Sequence, residues 1–175
     1  MSLPAPREAG RYRIGLVCLG NICRSPMAHV VLDAKVAAAG LADVVTVASS
    51  GTGGWHVGNP MDPRAAATLA AAGYDGSDHR ARQLAATWRD DHDLLLAMDA
   101  ANLADIGGGP GDPGGTGGPG GTDRVRLFRS FDPEDRGADV PDPYYGGDRG
   151  FQEVLAMVER CGDAIVSDLV TSLGR

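Results

Sequence analysis

A single lysine, Lys35, stands beside fifteen arginines in this chain. The bias is that of a GC-rich genome. No Lys-Ser/Thr pair follows a glycine-rich turn, which excludes a Walker A phosphate loop. Long apolar runs are missing too. No stretch of about 18 apolar residues occurs, so no spanning helix and no membrane partner are expected. The first thirteen residues lack the apolar centre of a secretory signal. Cysteines number three, a small and odd set that makes no disulfide framework. A cytoplasmic location is the resulting expectation. Positive charge is in deficit: 16 basic side chains face 23 acidic ones, for a net charge of -7. That balance argues against a nucleic-acid partner, which calls for a basic face.

Glycine is the residue in excess, at 26 of 175. No Gly-X-Y period runs through the chain, which excludes a collagen-like rod. A hydrophobic share of 43% excludes a chain disordered throughout. Ten of the glycines and three prolines crowd into the sixteen residues from Gly107 to Thr122. With no large apolar side chain, 107–122 is expected to be a flexible surface insertion, dispensable for function. Residues 1–11 are polar and proline-containing, and are expected to form a flexible tail. The remainder, 12–175, has the size of one domain.

Hydrophobic patterning divides that domain into alternating elements. Residues 12–17 read as a buried strand. Ser25 as N-cap and Pro26 at the first helical position open a helix that stops before Gly40. Residues 43–48 are a second strand, rich in β-branched side chains. Helices are expected over 63–72 and 80–91. The run 93–98 (DLLLAM) is apolar and bounded by charge, as in a central parallel strand. A short helix over 99–106 and a fourth strand over 124–128 follow. Phe151, Val154, Leu155, Val158, Ile165 and Leu169 share one face of a C-terminal helix. The pattern predicts an α/β fold: a four-stranded parallel sheet with helices on both faces. Such folds bind ligands beyond the carboxyl ends of their strands, which singles out the loop starting at Cys18.

That loop reads Cys18-Leu19-Gly20-Asn21-Ile22-Cys23-Arg24-Ser25-Pro26 and leads from a strand into a helix. Successive backbone N–H groups in such a turn cradle an anion, and the helix dipole adds positive potential. Gly20 and Asn21 tolerate left-handed backbone. Arg24 clamps two oxyanion oxygens in a way lysine cannot. The same field favours thiolate over thiol at Cys18, and a Ser25 hydroxyl bond to sulfur adds to this. A thiolate beneath a bound phosphoryl group is set for nucleophilic catalysis through a phosphocysteine. A leaving phenolate needs a proton. The candidate donor is Asp142, in Pro141-Asp142-Pro143-Tyr144-Tyr145, whose prolines stiffen its loop. The plain alternative for Asp142 is a Pro-Asp-Pro turn.

The string C-L-G-N-I-C-R-S-P resembles the signature loop of the low-molecular-weight protein tyrosine phosphatases. The resemblance extends from about Tyr12 to the C-terminal helix. The Trp55-bearing form is similar to bacterial members. It implies a flavodoxin-like sheet, no metal or organic cofactor, phosphotyrosine-containing protein substrates, and phosphate or other oxyanions in the cradle. The D-P-Y-Y stretch is that family's general-acid motif, which gives Asp142 the role. Leu19 and Ile22 point from the loop and are expected to help wall the pocket, and by the same resemblance Trp55, Tyr144 and Tyr145 line it. For Trp55 the alternative is core packing. His79, in H-x-A-R-Q, is expected to hydrogen-bond Asn21, Ser25 and Ser49. His29, His56 and His92 are expected to be structural or exposed. Asp99 is a candidate brace for the cradle. Cys23 is either a small buried residue or a partner that traps oxidised Cys18. Cys161 is expected in the core. Thioredoxin-coupled arsenate reductases share the oxyanion loop but need a further cysteine pair, and residues 74–106 contain no cysteine. A non-catalytic phosphotyrosine-binding module would be expected to have lost Cys18, Arg24 or Asp142.

Overall fold

The computed structural model describes residues 2–107 and 121–175. Among the described residues ten helices and strands follow in chain order, besides a 3-10 turn at Phe128–Phe131. They are β1 (Tyr12–Cys18), α1 (Arg24–Ala38), β2 (Val45–Gly51), α2 (Pro63–Ala71) and α3 (Trp88–Asp91). Then come β3 (Leu94–Ala97), α4 (Ala100–Ile106), β4 (Gly121–Thr122), β5 (Val125–Leu127) and α5 (Asp148–Leu173). The sheet order is β2-β1-β3-β5-β4. The first four strands in that order are parallel, as expected. The two-residue β4 adds an antiparallel edge that the sequence pattern did not announce.

Strand alternation divides the core. Ile14, Leu16, Leu94 and Leu96 turn to the face covered by α1 and α5, where Met27, Val31, Phe151 and Val158 are buried. Val17, Leu95 and Ala97 turn to the other face, against Trp88, Leu103 and Ile106. The DLLLAM run is continuously apolar because both of its faces are covered. Gly15 permits the tightest of these contacts: a Cβ there would lie 2.5 Å from Leu95 Cδ2 and 2.9 Å from Trp88 Cζ3.

Three element boundaries differ from expectation, each for a local reason. The helix expected over 80–91 shrinks to Trp88–Asp91. Upstream backbone is engaged elsewhere: Gly51 N donates to Arg82 O, Leu84 N donates to Gly51 O, and Arg82 N donates to Asn21 Oδ1. The second strand continues through Ser49 and Ser50 to Gly51, in register with Leu16, Val17 and Cys18. Ser25 is not the N-cap of α1. Cys23 holds that position with no side-chain cap, and the Ser25 hydroxyl faces Cys18 instead.

The N-terminal segment is anchored at several points. Arg7 N donates to Asp93 Oδ1, the Arg7 guanidinium reaches His92 O and Arg89 O, and Leu3 packs on the core. Most of the glycine-rich 107–122 stretch lies outside the described residues; Gly107 closes α4 in the left-handed conformation. Among the described residues no helix is long and apolar enough to cross a membrane.

Candidate active site

Cys18 ends β1, 3% exposed, at the base of the loop that turns into α1. Its Sγ accepts from Asn21 N at 3.3 Å and lies 2.9 Å from Ser25 Oγ. Asn21 takes the left-handed conformation at φ 56, alone among the described non-glycine residues. Side-chain bonds hold it there. Asn21 Oδ1 accepts from Arg82 N at 3.0 Å, and Nδ2 donates to Ser25 Oγ at 2.9 Å and Ser49 Oγ at 3.1 Å. Gly51 allows the loop to sit on β2: a Cβ there would meet Leu19 O at 2.7 Å and Asn21 N at 3.1 Å.

His79 makes fewer contacts than expected. Its Nε2 donates to Asn21 O at 2.7 Å, and no bond from it to either serine is found. Burial lowers the His79 pKa, only partly opposed by that hydrogen bond, and His29, Arg82 and Arg80 lower it further. A neutral ring with its proton on Nε2 suits the carbonyl acceptor. The outer partner of Ser49 is His29, whose Nδ1 lies 3.3 Å from its Oγ. His29 is therefore structural, as expected, and supports the loop through Ser49.

Arg24 is buried, and its Nη1 donates to Asp99 Oδ2 at 2.6 Å and Val140 O at 3.1 Å. Its Nη2 lies 3.6 Å from Asp142 Oδ2. Burial works against the guanidinium charge, but the Asp99 bond and the charges of Cys18, Asp142 and Asp99 carry its pKa above the ordinary value. The Asp142 loop is tied down on both sides. Asp142 Oδ1 accepts from Tyr144 N at 3.1 Å, and Val140 N donates to Met98 O. Arg64 of α2 donates to Tyr144 O and Gly146 O while paired with Asp62. Arg129 donates to Asp139 O and pairs with Asp132, which Arg160 of α5 also holds.

A cleft of about 280 Å³ opens above Cys18. Leu19, Gly20, Ile22, Cys23 and Arg24 form its loop side. Trp55, Asp142, Tyr144 and Tyr145 face them. Trp55 is 73% exposed, so core packing is excluded for it. Its ring folds over Gly53, where a Cβ would lie 1.8 Å from Trp55 Cζ3. Tyr144 and Tyr145 meet edge to face, with ring centroids 5.0 Å apart. His56, expected to be structural or exposed, also lines the cleft and packs beside Gly20. Cys23 is buried at the wall. Burial, with Asp62 and Cys18 adding, pushes its thiol up to about 12. Cys161 packs in the core, and burial pushes it up to about 12 as well. Among the described residues no His, Cys, Asp and Glu side chains gather into a metal-holding group.

A thiol under an anion cradle, a preset guanidinium and a carboxylate opposite form the chemistry of phosphoryl transfer. Known proteins agree. A family profile described as low molecular weight phosphotyrosine protein phosphatase matches residues 13–173. A low molecular weight protein-tyrosine-phosphatase of Streptomyces coelicolor is 46% identical over 158 residues, spanning 89% of this chain and 92% of its own. Low molecular weight protein-tyrosine phosphatase A of Mycobacterium tuberculosis is 44% identical over 151 residues, spanning 83% and 84%. In three dimensions YfkJ of Bacillus subtilis superposes with a TM-score of 0.81 at 31% identity, over 94% of this chain and 98% of that one. With sequence, fold and loop in agreement, the chain belongs to the low molecular weight phosphotyrosine protein phosphatase family and is a phosphoric monoester hydrolase of that type.

Proposed function

We propose that the cleft hydrolyses phosphotyrosine in protein substrates by two successive transfers at phosphorus. In the first, Cys18 Sγ attacks phosphorus in line, an S–P bond forms, and the bond to the aryl oxygen breaks. Asp142 gives its proton to that oxygen, so a neutral phenol leaves. Arg24 and the loop amides hold the phosphoryl oxygens and stabilise their charge in the transition state. In the second step water attacks the phosphocysteine and Asp142 takes the water's proton. The S–P bond breaks, its electron pair returns to Cys18, and phosphate leaves. No metal ion or organic cofactor enters these steps.

The observation that carries this reading is the fixed Arg24. Asp99 and Val140 hold Nη1 from behind, and Nη2 faces Asp142 at 3.6 Å. Nucleophile, clamp and proton donor line one cleft. Substrate class follows from the walls: Trp55 and Tyr144 offer aromatic faces to a flat ring, and the cradle takes a tetrahedral oxyanion. Wzb of Vibrio vulnificus, 25% identical with a TM-score of 0.72, was solved in complex with benzylphosphonate. That ligand joins the same two features, an aromatic ring and a tetrahedral phosphorus acid.

Cys18→Ser is expected to abolish hydrolysis of an aryl phosphate while phosphate still binds. Full turnover by this variant overturns the mechanism. Phosphotyrosine peptides are expected to be hydrolysed well above phosphoserine and phosphoarginine peptides, with no effect of EDTA. A preference for phosphoserine overturns the substrate class.

A further inference from the structure

Behind the catalytic loop the surface opens into a second depression of about 330 Å³, walled by His29 and Asp33 of α1, Ser49 of β2 and the segment that carries His79. A line of hydrogen bonds leads from it to Cys18. Its direction is set by groups that have one role only. Arg82 N–H can only donate, and it donates to Asn21 Oδ1 at 3.0 Å, so Asn21 Nδ2 must face the serines. Ser25 Oγ accepts from Asn21. Its own proton then goes to Cys18 Sγ at 2.9 Å or Ser50 O at 3.4 Å. The shorter, charge-assisted bond to a thiolate wins. Ser49 Oγ likewise accepts from Asn21, and the partner for its proton is His29 Nδ1 at 3.3 Å. Across the ring, His29 Nε2 lies 3.2 Å from Asp33 Oδ2. The carboxylate keeps the ring proton on Nε2 and leaves Nδ1 as an acceptor.

We propose that His29 is a positioning residue: its Nδ1 accepts a hydrogen bond from the Ser49 hydroxyl, and so orients the Asn21 amide that turns the Ser25 hydroxyl toward the Cys18 thiolate. This rests on the reading of Cys18 as the nucleophile. Protonating His29 makes Nδ1 a donor, and the hydroxyl of Ser49, a residue 1% exposed, loses its acceptor. Asp75, Asp78, His79, Arg80 and Arg82 of the facing segment line the same depression.

The test follows Cys18 thiolate absorbance against pH in the full chain. Cys23 and Cys161, pushed up to about 12, stay silent below about pH 9. His29→Leu removes the acceptor and is expected to raise the midpoint of thiolate formation by about one pH unit, with a roughly tenfold loss of kcat/KM at mildly acidic pH. His29→Asn keeps an oxygen acceptor near the Nδ1 position without titrating, and is expected to restore the midpoint. An unmoved midpoint in folded His29→Leu overturns the inference. Should that variant not fold, Asp33→Ala carries the test from the exposed end of the chain of bonds, since it removes the acceptor that holds the ring proton on Nε2, and an unmoved midpoint there overturns it equally. Cys18→Ser in parallel keeps the two readings apart. If it retains turnover, the nucleophile assignment fails. If it is inactive while the midpoint of the His29 variants stays put, only the role of His29 fails.

Discussion

Arg24 Nη1 and Asp99 Oδ2 meet at 2.6 Å, and the other oxygen of the same carboxylate accepts from Asn102 N at the start of α4. One side chain thus aims the proposed phosphate clamp and caps a helix. Because the clamp is held by protein on one edge, no reorganisation of the guanidinium is needed when an oxyanion arrives. Asp99→Asn separates the two duties, since an amide oxygen still accepts from Asn102 N. The variant is expected to keep its melting temperature, lose roughly tenfold in kcat/KM, and bind phosphate correspondingly more weakly. Unchanged phosphate inhibition contradicts the clamp.

Asp142→Ala removes the proposed acid and leaves the cradle intact. Turnover of a poor phenolic leaving group is expected to fall about 100-fold or more, and that of an activated aryl phosphate far less. Equal losses on both substrates rule out proton donation by Asp142.

Gly51→Ala places a Cβ 2.7 Å from Leu19 O and 3.1 Å from Asn21 N, and both obstacles are backbone. The catalytic loop must move away from β2. Displacement by a fraction of an ångström is expected to cost about 100-fold in kcat with little change in far-ultraviolet circular dichroism. By contrast, Trp55→Ala removes an exposed wall. It is expected to raise KM for phosphotyrosine peptides several-fold and leave the melting temperature in place. A wild-type KM removes Trp55 from the substrate pocket.

Asp132 tests the support of the acid loop. It is fully buried between Arg129 and Arg160. Burial pushes its carboxyl up, but hydrogen bonds from Arg160, Glu134 N–H and Arg129 more than offset this and hold it well below the usual carboxylate range. A depressed folded value means stability that is fully present above the unfolded value of about 4 and drains away as pH falls below it. Asp132→Asn is expected to cost about 3 kcal/mol near neutral pH, with the difference from wild type shrinking in acid. A difference that stays constant from neutral pH down through about pH 2 contradicts the ion-pair account. Because Arg129 also holds Asp139 O, a smaller loss of general-acid function should accompany it.

The catalytic loop was legible because its chemistry is contiguous: nucleophile, turn residues and arginine lie within seven positions, from Cys18 to Arg24. The central strands β1 and β3 were legible because burial on both faces makes them plainly apolar, and β2 because β-branched residues open it. Of the supports only Asp99 was legible, as a brace at the end of a strand, and the structure places it on Arg24. Arg64 and His29 act through folded proximity to Tyr144 and Ser49, and each alone reads as an ordinary surface residue. The segment 80–87 misled for a related reason. Its composition suits a helix, but its backbone groups pair with Gly51 and Asn21, a choice that no local pattern encodes. Ser25 misled in the opposite way: it looks like a helix cap, and its hydroxyl serves sulfur instead.

Helix α1 begins without a side-chain cap. A helix whose leading amides have no partner is completed by whatever anion settles on them. In the proposed reaction that anion is the phosphoryl group, so product and competitive inhibitor would act as the helix's missing end. Folding and inhibition are then thermodynamically linked. Phosphate at 100 times its dissociation constant should stabilise the native state by about 2.7 kcal/mol. Melting temperature in a phosphate titration thus becomes a direct gauge of active-site occupancy, usable even for variants with no turnover to measure.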